Sequence, residues 1–104
     1  MNTFTINGVA YKAMPVDFNM VCEFEDAGLS FDDLGKKMTS FVRGYFSICA
    51  GISIAEAGNQ IQEHILKGGN LVELTTAFTK EIESSDFFRT LKENTEKNAP
   101  KSKK

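Results

Sequence analysis

The sequence has little of what catalytic, metal-binding or disulfide-stabilised proteins depend on. Its 104 residues include two cysteines, one histidine, two prolines and no tryptophan. Two cysteines exclude a disulfide-rich scaffold, and two distant cysteines with one histidine do not supply the four ligands of a structural zinc site. No apolar run approaches the roughly 20 residues that span a bilayer. No charged segment followed by an apolar one opens the chain, so we expect no secretory signal.

Basic residues are scarce over most of the chain. Residues 1–96 carry eight basic and fourteen acidic residues, a formal charge of −6, whereas residues 97–104 add four lysines and no acid. Affinity for nucleic acid depends on clustered Lys and Arg, so an acidic body is not expected to bind it. We predict one domain over residues 1–96 and a disordered basic tail over residues 97–104.

A β-hairpin is the strongest local signal. Thr3–Ile6 alternates polar and apolar side chains, which predicts a strand. Asn7 and Gly8 both accept the positive φ that a type I′ turn needs, and Val9–Ala13 predicts the returning strand. A lone two-stranded hairpin is marginal in water, so its apolar face has to rest on helices.

The first predicted helix covers residues 18–27, with Asp17 as its N-cap. Glu25 falls on its apolar side, so we expect this carboxylate to be partly buried and paired with Lys12 or Arg43. The apolar side is predicted to hold Phe18, Val21, Cys22 and Glu25.

Further helices are predicted by apolar periodicity and capping residues. Ser30 predicts a short helical turn, and the very apolar segment Met38–Ala50 is expected at the centre of the core. Ser53 and Glu56 form a capping box that starts a third helix. The fold class is therefore α+β, with the N-terminal hairpin packed on a bundle of four to five short helices. The apolar stripe of the third helix consists of Ile54, Ala57, Gly58, Ile61 and Ile65.

The helix that starts near Leu71 raises a question about its C-terminal end. In an unbroken helix, Phe87, Phe88 and Leu91 would face away from the apolar side that precedes them. Either the helix breaks at Ser84-Ser85, so that Ser85 caps a new helix that folds back on the core, or the cluster is exposed. An exposed cluster of this kind marks an interaction site. Phe87, Phe88 and Leu91 are therefore the predicted partner-binding residues.

No catalytic, cofactor or metal site is predicted. His64 stands alone beside an apolar stripe, so a helix-surface role is favoured over a general base. Cys22 and Cys49 lie on the apolar sides of separate helices, as small buried residues of a reducing compartment do. Apart from Glu25, the carboxylates between residues 23 and 33 are typical of a solvated face. We therefore expect a protein that is not an enzyme. The residual alternative is a small enzyme or metal protein that uses His64, Cys22 and the carboxylates.

The order of these elements resembles a known family. The N-G hairpin is followed by the helix of residues 17–30, which ends in an acidic run, a glycine and an aliphatic residue. Ser53-Ile54-Ala55-Glu56, Gly68-Gly69-Asn70-Leu71 and Ser85-Asp86-Phe87-Phe88 follow in a similar layout. Over residues 3–91 this arrangement resembles the tail assembly chaperones of long-tailed bacteriophages with flexible tails.

The resemblance implies a non-enzymatic role in tail morphogenesis. Such chaperones bind the long helical tape measure protein, keep it soluble and promote polymerisation of the major tail (tube) protein around it. It further implies the host cell cytoplasm as location, absence from the mature virion and weak self-association. No cofactor, nucleic acid or membrane is implied. The alternative is a structural tail or neck protein that is retained in the virion.

Overall fold

The chain forms a β-hairpin and continues through helices. The structure is a computed structural model that describes residues 2–90. Residues 86–90 are helical. The predicted α+β class, with an N-terminal hairpin on a bundle of short helices, is confirmed. The predicted domain boundary at residue 96 and the predicted tail lie outside the described residues. The elements are β1 (Thr3–Ile6), β2 (Val9–Lys12), α1 (Phe18–Asp26), a 3-10 helix (Phe31–Asp33), α2 (Met38–Ala50), α3 (Ile54–Leu66) and α4 (Val72–Glu83).

The hairpin has the predicted turn. Asn7 and Gly8 have φ values of 54° and 78°, as the two central positions of a type I′ turn require. Phe4 pairs with Tyr11 across the antiparallel ladder, and their rings stack at 5.6 Å between centroids. Phe4 is fully buried, so this face of the hairpin is part of the core.

Helix α4 supports the hairpin along β1. The Asn2 side chain donates to the carbonyl oxygen of Ala77 at 2.9 Å, and the backbone N–H of Thr5 donates to the Glu73 carboxylate at 2.9 Å. One backbone N–H on the outer edge of β1 therefore finds its partner on a helix instead of on a third strand. This explains how a hairpin of four-residue strands is held in place.

Helix α2 lies at the centre of the core, as predicted. The ring of Tyr45 packs 4.7 Å from that of Phe78 on α4, and the ring of Phe41 packs 5.1 Å from that of Phe24 on α1. Gly44 allows the approach of α1, because a Cβ at this position would lie 2.8 Å from the Phe24 ring. The residues of α2 that are at most 1 % exposed include Phe41, Val42, Tyr45 and Phe46.

Helix α1 buries a different side from the predicted one. Met20 and Phe24 are buried, whereas Phe18 is 60 % exposed and Glu25 is exposed. The reason is that the Phe24 ring packs among three other rings, those of Phe31, Phe41 and Phe78, and so rotates the helix toward them. The predicted burial of Glu25 is wrong. Neither ion pair found within residues 2–90 involves Glu25, so the predicted pairing is wrong as well.

Of the two alternatives for the end of α4, the structure has the break at Ser84-Ser85. The Ser85 hydroxyl accepts a hydrogen bond from the backbone N–H of Phe88 at 3.2 Å and donates one to the carbonyl oxygen of Val16 at 2.9 Å. Ser85 therefore caps the helical residues 86–90 and ties them to the segment before α1.

Helices α2 and α3 are joined by a short connection at which the helix axis bends by 107°. Within residues 2–90 no single helix is long and apolar enough to cross a membrane; α2 and α3 meet that criterion only as a bent pair.

Candidate partner-binding groove

An apolar groove lies between α2 and α3 and is open to solvent. We name it the α2–α3 groove. Its volume is about 350 Å³. Its lining is mostly apolar, with a few neutral polar groups and one charged side chain at the edge. The lining residues are Thr39, Ser40, Arg43, Gly58, Ile61, Gln62, Ile65, Leu66 and Leu71.

The bend between α2 and α3 creates the groove. Gly51 has a φ of 70°, which ends α2 in the left-handed conformation. The buried Ser47 hydroxyl donates to the carbonyl oxygen of Ile52 at 2.6 Å, so the short connection is fixed. Ser53 then starts α3 by accepting from the backbone N–H of Glu56 at 3.0 Å. The N-terminal half of α2 and the C-terminal half of α3 diverge from this connection and leave the groove between them.

Glycine in α3 gives the groove part of its depth. Gly58 occupies the interior of a 13-residue helix, where glycine is about 1 kcal/mol less favourable than alanine. A Cβ at Gly58 would lie 3.4 Å from Cδ of Arg43, so the aliphatic stem of Arg43 passes directly over this position. A larger side chain at residue 58 would therefore project into the groove.

The apolar surface of the groove continues onto the first turn of α4. Of the lining residues, Ile65 is 47 % exposed and Leu66 is 77 % exposed, and Val72, outside the lining, is 65 % exposed. Leu71 lines both the α2–α3 groove and a second depression on the first turn of α4. Such a run of exposed aliphatic side chains beside a groove is typical of an interaction surface.

Phe87 and Phe88, two of the three predicted partner-binding residues, lie outside the α2–α3 groove. Phe88 is half-buried and packs against Phe31, with ring centroids 5.2 Å apart. Phe87 is half-buried against the exposed ring of Phe18, at 5.7 Å. These rings lie beside α1 and the 3-10 helix and share no residue with the lining of the α2–α3 groove. Leu91 lies outside the described residues.

The single histidine, His64, forms hydrogen bonds with two loops. His64 is half-buried, and its Nδ1 atom accepts a hydrogen bond from the backbone N–H of Asn7 at 3.0 Å. Nε2 lies 3.1 Å from the carbonyl oxygen of Asn70 and is the donor to it. His64 thus joins the hairpin turn to the connection between α3 and α4. No cluster of three or more His, Cys, Asp or Glu side chains within residues 2–90 is arranged to hold a metal ion.

The two cysteines are free and half-buried. Burial raises the pKa of the Cys49 thiol, so this side chain is held in its uncharged form. Burial also raises the pKa of the neighbouring Tyr45 hydroxyl, with a further contribution from Cys49. The Tyr45 hydroxyl donates to the carbonyl oxygen of Met14 at 2.6 Å. The hydrogen bond between Tyr45 and Met14 links α2 to the segment that follows the hairpin.

Comparison of the chain with protein-family models, with curated proteins and with solved structures gives no match.

Sequence reasoning missed the groove because its signals are weak in isolation. Gly58 stands inside the predicted apolar stripe of α3, where a glycine among apolar residues indicates close approach or a depression. Leu66 follows that stripe directly and is 77 % exposed. The third feature that could have indicated the groove is Arg43, a cation on the most apolar helix.

Proposed function

We propose that this chain is a tail assembly chaperone of the kind found in long-tailed phages with flexible tails, and that it binds helical segments of a tape measure protein through the α2–α3 groove. The single observation that carries the proposal is the open apolar groove, whose lining includes the exposed Ile65 and Leu66. Amphipathic helices bind in grooves of this type by inserting residues spaced at i, i+3, i+4 and i+7.

The size of the groove fits this occupant. Its lining on α3 runs from Gly58 to Leu66, about 12 Å of helix at 1.5 Å per residue. This length matches about two turns of a partner helix, which present about three to four apolar side chains on one face. Many such short contacts along a long helical protein would keep its apolar stripe away from water without any covalent chemistry.

Charge supports the same role. Residues 2–90 contain seven basic and twelve acidic residues, a formal charge of −5. A net charge well away from zero opposes self-precipitation, so a complex that carries many copies of this chain gains solubility. We further propose that the chain acts in the cytoplasm of the host cell, together with the major tail protein, and is absent from the finished particle.

Co-expression tests the proposal. The tape measure protein from the same phage genome is produced alone, with this chain, and with its Gly58→Met variant, which fills the groove without a change of charge. Gly58→Ala is the matched control, since one methyl group leaves most of the groove open. We expect the wild type and Gly58→Ala to keep the tape measure protein in the soluble fraction and Gly58→Met to lose most of this effect. No gain of soluble tape measure protein with the wild type would overturn the function.

Two further measurements separate the alternatives. Phe87→Ala removes a ring of the aromatic pair without touching the groove, so it tests the predicted site at Phe87 and Phe88. Loss of binding in Phe87→Ala, together with full binding in Gly58→Met, would move the site to that pair. Mass spectrometry of purified particles tests the role itself. A structural tail or neck protein would be present in stoichiometric amount, whereas a chaperone is absent.

A further inference from the structure

Arg43 is a cation without an acidic partner at the edge of the apolar groove. The two ion pairs within residues 2–90 join Glu63 to Lys67 and Asp86 to Arg89, and neither involves Arg43. Arg43 is exposed and is the one charged residue among those that line the α2–α3 groove. Its charge is therefore available to a bound molecule.

Arg43 lies beside Gly58 of the facing helix α3. Its aliphatic stem lies over Gly58, with Cδ 3.4 Å from where a Cβ at residue 58 would be. The other polar side chains of the lining, Thr39, Ser40 and Gln62, are neutral and do not compete for an anion as a second cation would. A guanidinium presents five N–H donors in a planar fork that fits a carboxylate. A helix in the groove would shield this guanidinium from water on one side, which strengthens an ion pair formed there.

The net negative charge of the rest of the protein opposes the binding of an acidic helix. With a formal charge of −5 over residues 2–90, the described body repels an acidic helix at long range, although salt screens this repulsion beyond about 8 Å. Among the residues that line the groove, Arg43 is the one place where an acidic side chain of a partner is favoured. Local attraction within a repulsive surround selects one register and one orientation of a bound helix.

We propose that the α2–α3 groove selects an amphipathic helix that carries a carboxylate beside its apolar face, and that Arg43 binds this carboxylate. The inference rests on the proposed function and specifies the chemistry of the helix that the groove accepts. Arg43 is the specificity-determining residue, and the apolar lining supplies most of the affinity. A second copy of this chain is not the expected occupant.

Three synthetic 18-residue amphipathic peptides test this inference. They share one apolar face of Leu and Ala and differ at one flanking position, which is Glu, Gln or Lys. Their dissociation constants are measured by fluorescence anisotropy with the full chain, with Arg43→Glu and with Arg43→Gln, at low and high salt. Lys12→Glu is the matched control, because it changes the net charge equally at an exposed residue of β2. Circular dichroism and thermal unfolding check that each variant folds.

We expect the wild type to prefer the Glu peptide over the Lys peptide by about tenfold, the scale of a partly shielded ion pair. Arg43→Glu should reverse this order, Arg43→Gln should abolish it, and Lys12→Glu should keep it. High salt should reduce the preference. The same order in the wild type and in Arg43→Glu would overturn the inference, and so would absence of binding by all three peptides.

The two proposals fail separately. If the wild type keeps the tape measure protein soluble and Gly58→Met does not, while the peptide order is insensitive to residue 43, the function stands and the role of Arg43 is refuted. If sedimentation shows a dimer of the free chain that Gly58→Met dissociates, the groove is occupied by a second copy and the inference is refuted. If the tape measure protein gains nothing from the wild type but the peptide order reverses in Arg43→Glu, the function fails and the charge selection stands.

Discussion

His64 and Asn7 lie 57 residues apart and are joined by a hydrogen bond of 3.0 Å from the Asn7 backbone N–H to Nδ1 of the imidazole. Because Nδ1 accepts, the proton of the neutral ring is on Nε2, which donates to the carbonyl oxygen of Asn70. The side chain therefore satisfies one backbone donor and one backbone acceptor in two different loops. Its role is to fix the hairpin turn against α3.

His64→Ala should lower the free energy of unfolding by about 1–3 kcal/mol, since it leaves the Asn7 N–H and the Asn70 carbonyl without their partner. Urea denaturation gives the value. Asn59→Ala, an exposed position on the same helix, is the control and should change stability by less than about 0.5 kcal/mol. Equal losses in the two variants would contradict the structural role of His64.

Gly69→Ala should displace the imidazole. A Cβ at residue 69 would lie 2.4 Å from Nε2 of His64, which is far inside van der Waals contact. We expect a loss of about 1–3 kcal/mol, whereas Gly35→Ala, with no atom within 4 Å of the added Cβ, should be neutral or stabilising. A double-mutant cycle with His64→Ala is decisive, because the cost of Gly69→Ala should largely disappear once the ring is removed.

Gly44→Ala and Gly58→Ala should have opposite effects. At Gly44 the new Cβ would lie 2.8 Å from the buried Phe24 ring, so overpacking should cost about 1–3 kcal/mol. At Gly58 the nearest atom is Cδ of a flexible arginine at 3.4 Å, and the gain in helix propensity of up to about 1 kcal/mol should prevail. Thermal unfolding of both variants tests this, and a destabilised Gly58→Ala would show that the stem of Arg43 is rigidly packed.

Stability should fall at alkaline pH through Tyr45. Burial raises the pKa of its hydroxyl above the ordinary value of 10.0, so the folded protein keeps a proton that the unfolded chain releases. The free energy of unfolding should therefore decrease as the pH rises above about 10. Burial of Cys49 acts in the same direction from about pH 9. Urea denaturation between pH 8 and pH 11 measures the slope.

Tyr45→Phe should reduce that slope, because one of the two groups that titrate is gone. At pH 7 the same variant should lose about 1 kcal/mol with the hydrogen bond to the carbonyl oxygen of Met14. Cys49→Ala removes the contribution of the thiol alone. An unchanged alkaline slope in the Tyr45→Phe and Cys49→Ala double variant would refute this assignment.

Ser85→Ala should be more damaging than Ser84→Ala. Ser85 caps the helical residues that follow and also donates to the carbonyl oxygen of Val16. Its loss should cost about 1–2 kcal/mol. The Ser84 hydroxyl donates to a carbonyl within α4 at an exposed position, so its loss should be small. Measured costs in the reverse order would show that the capping contact does not hold this segment.

Prediction from sequence succeeded where local chemistry decides the structure. The N-G turn and the Ser53 N-cap set the ends of their elements, and the bounds of α2 match the predicted ones. These features depend on residues close together in the chain. The Ser85 break was also readable, because two opposite apolar faces cannot both be buried by one helix in a small domain.

Prediction failed where distant residues decide. The buried side of α1 is set by aromatic rings from the 3-10 helix, α2 and α4, which surround Phe24. The apolar periodicity of α1 alone cannot predict these contacts, because they come from other parts of the chain. The groove follows from the 107° bend between two correctly predicted helices. His64 was predicted at the helix surface, and its two loop partners are far from it in sequence or across a turn.

The attachment of β1 to α4 has a consequence for how the polypeptide is made. The hydrogen bonds from Asn2 to Ala77 and from Thr5 to Glu73 span 75 and 68 residues. A ribosome delivers the N-terminal strand first and α4 only after the intervening helices. The buried sites for Phe4 and Ile6 are therefore incomplete until α4 has emerged, and the domain can close only after that point.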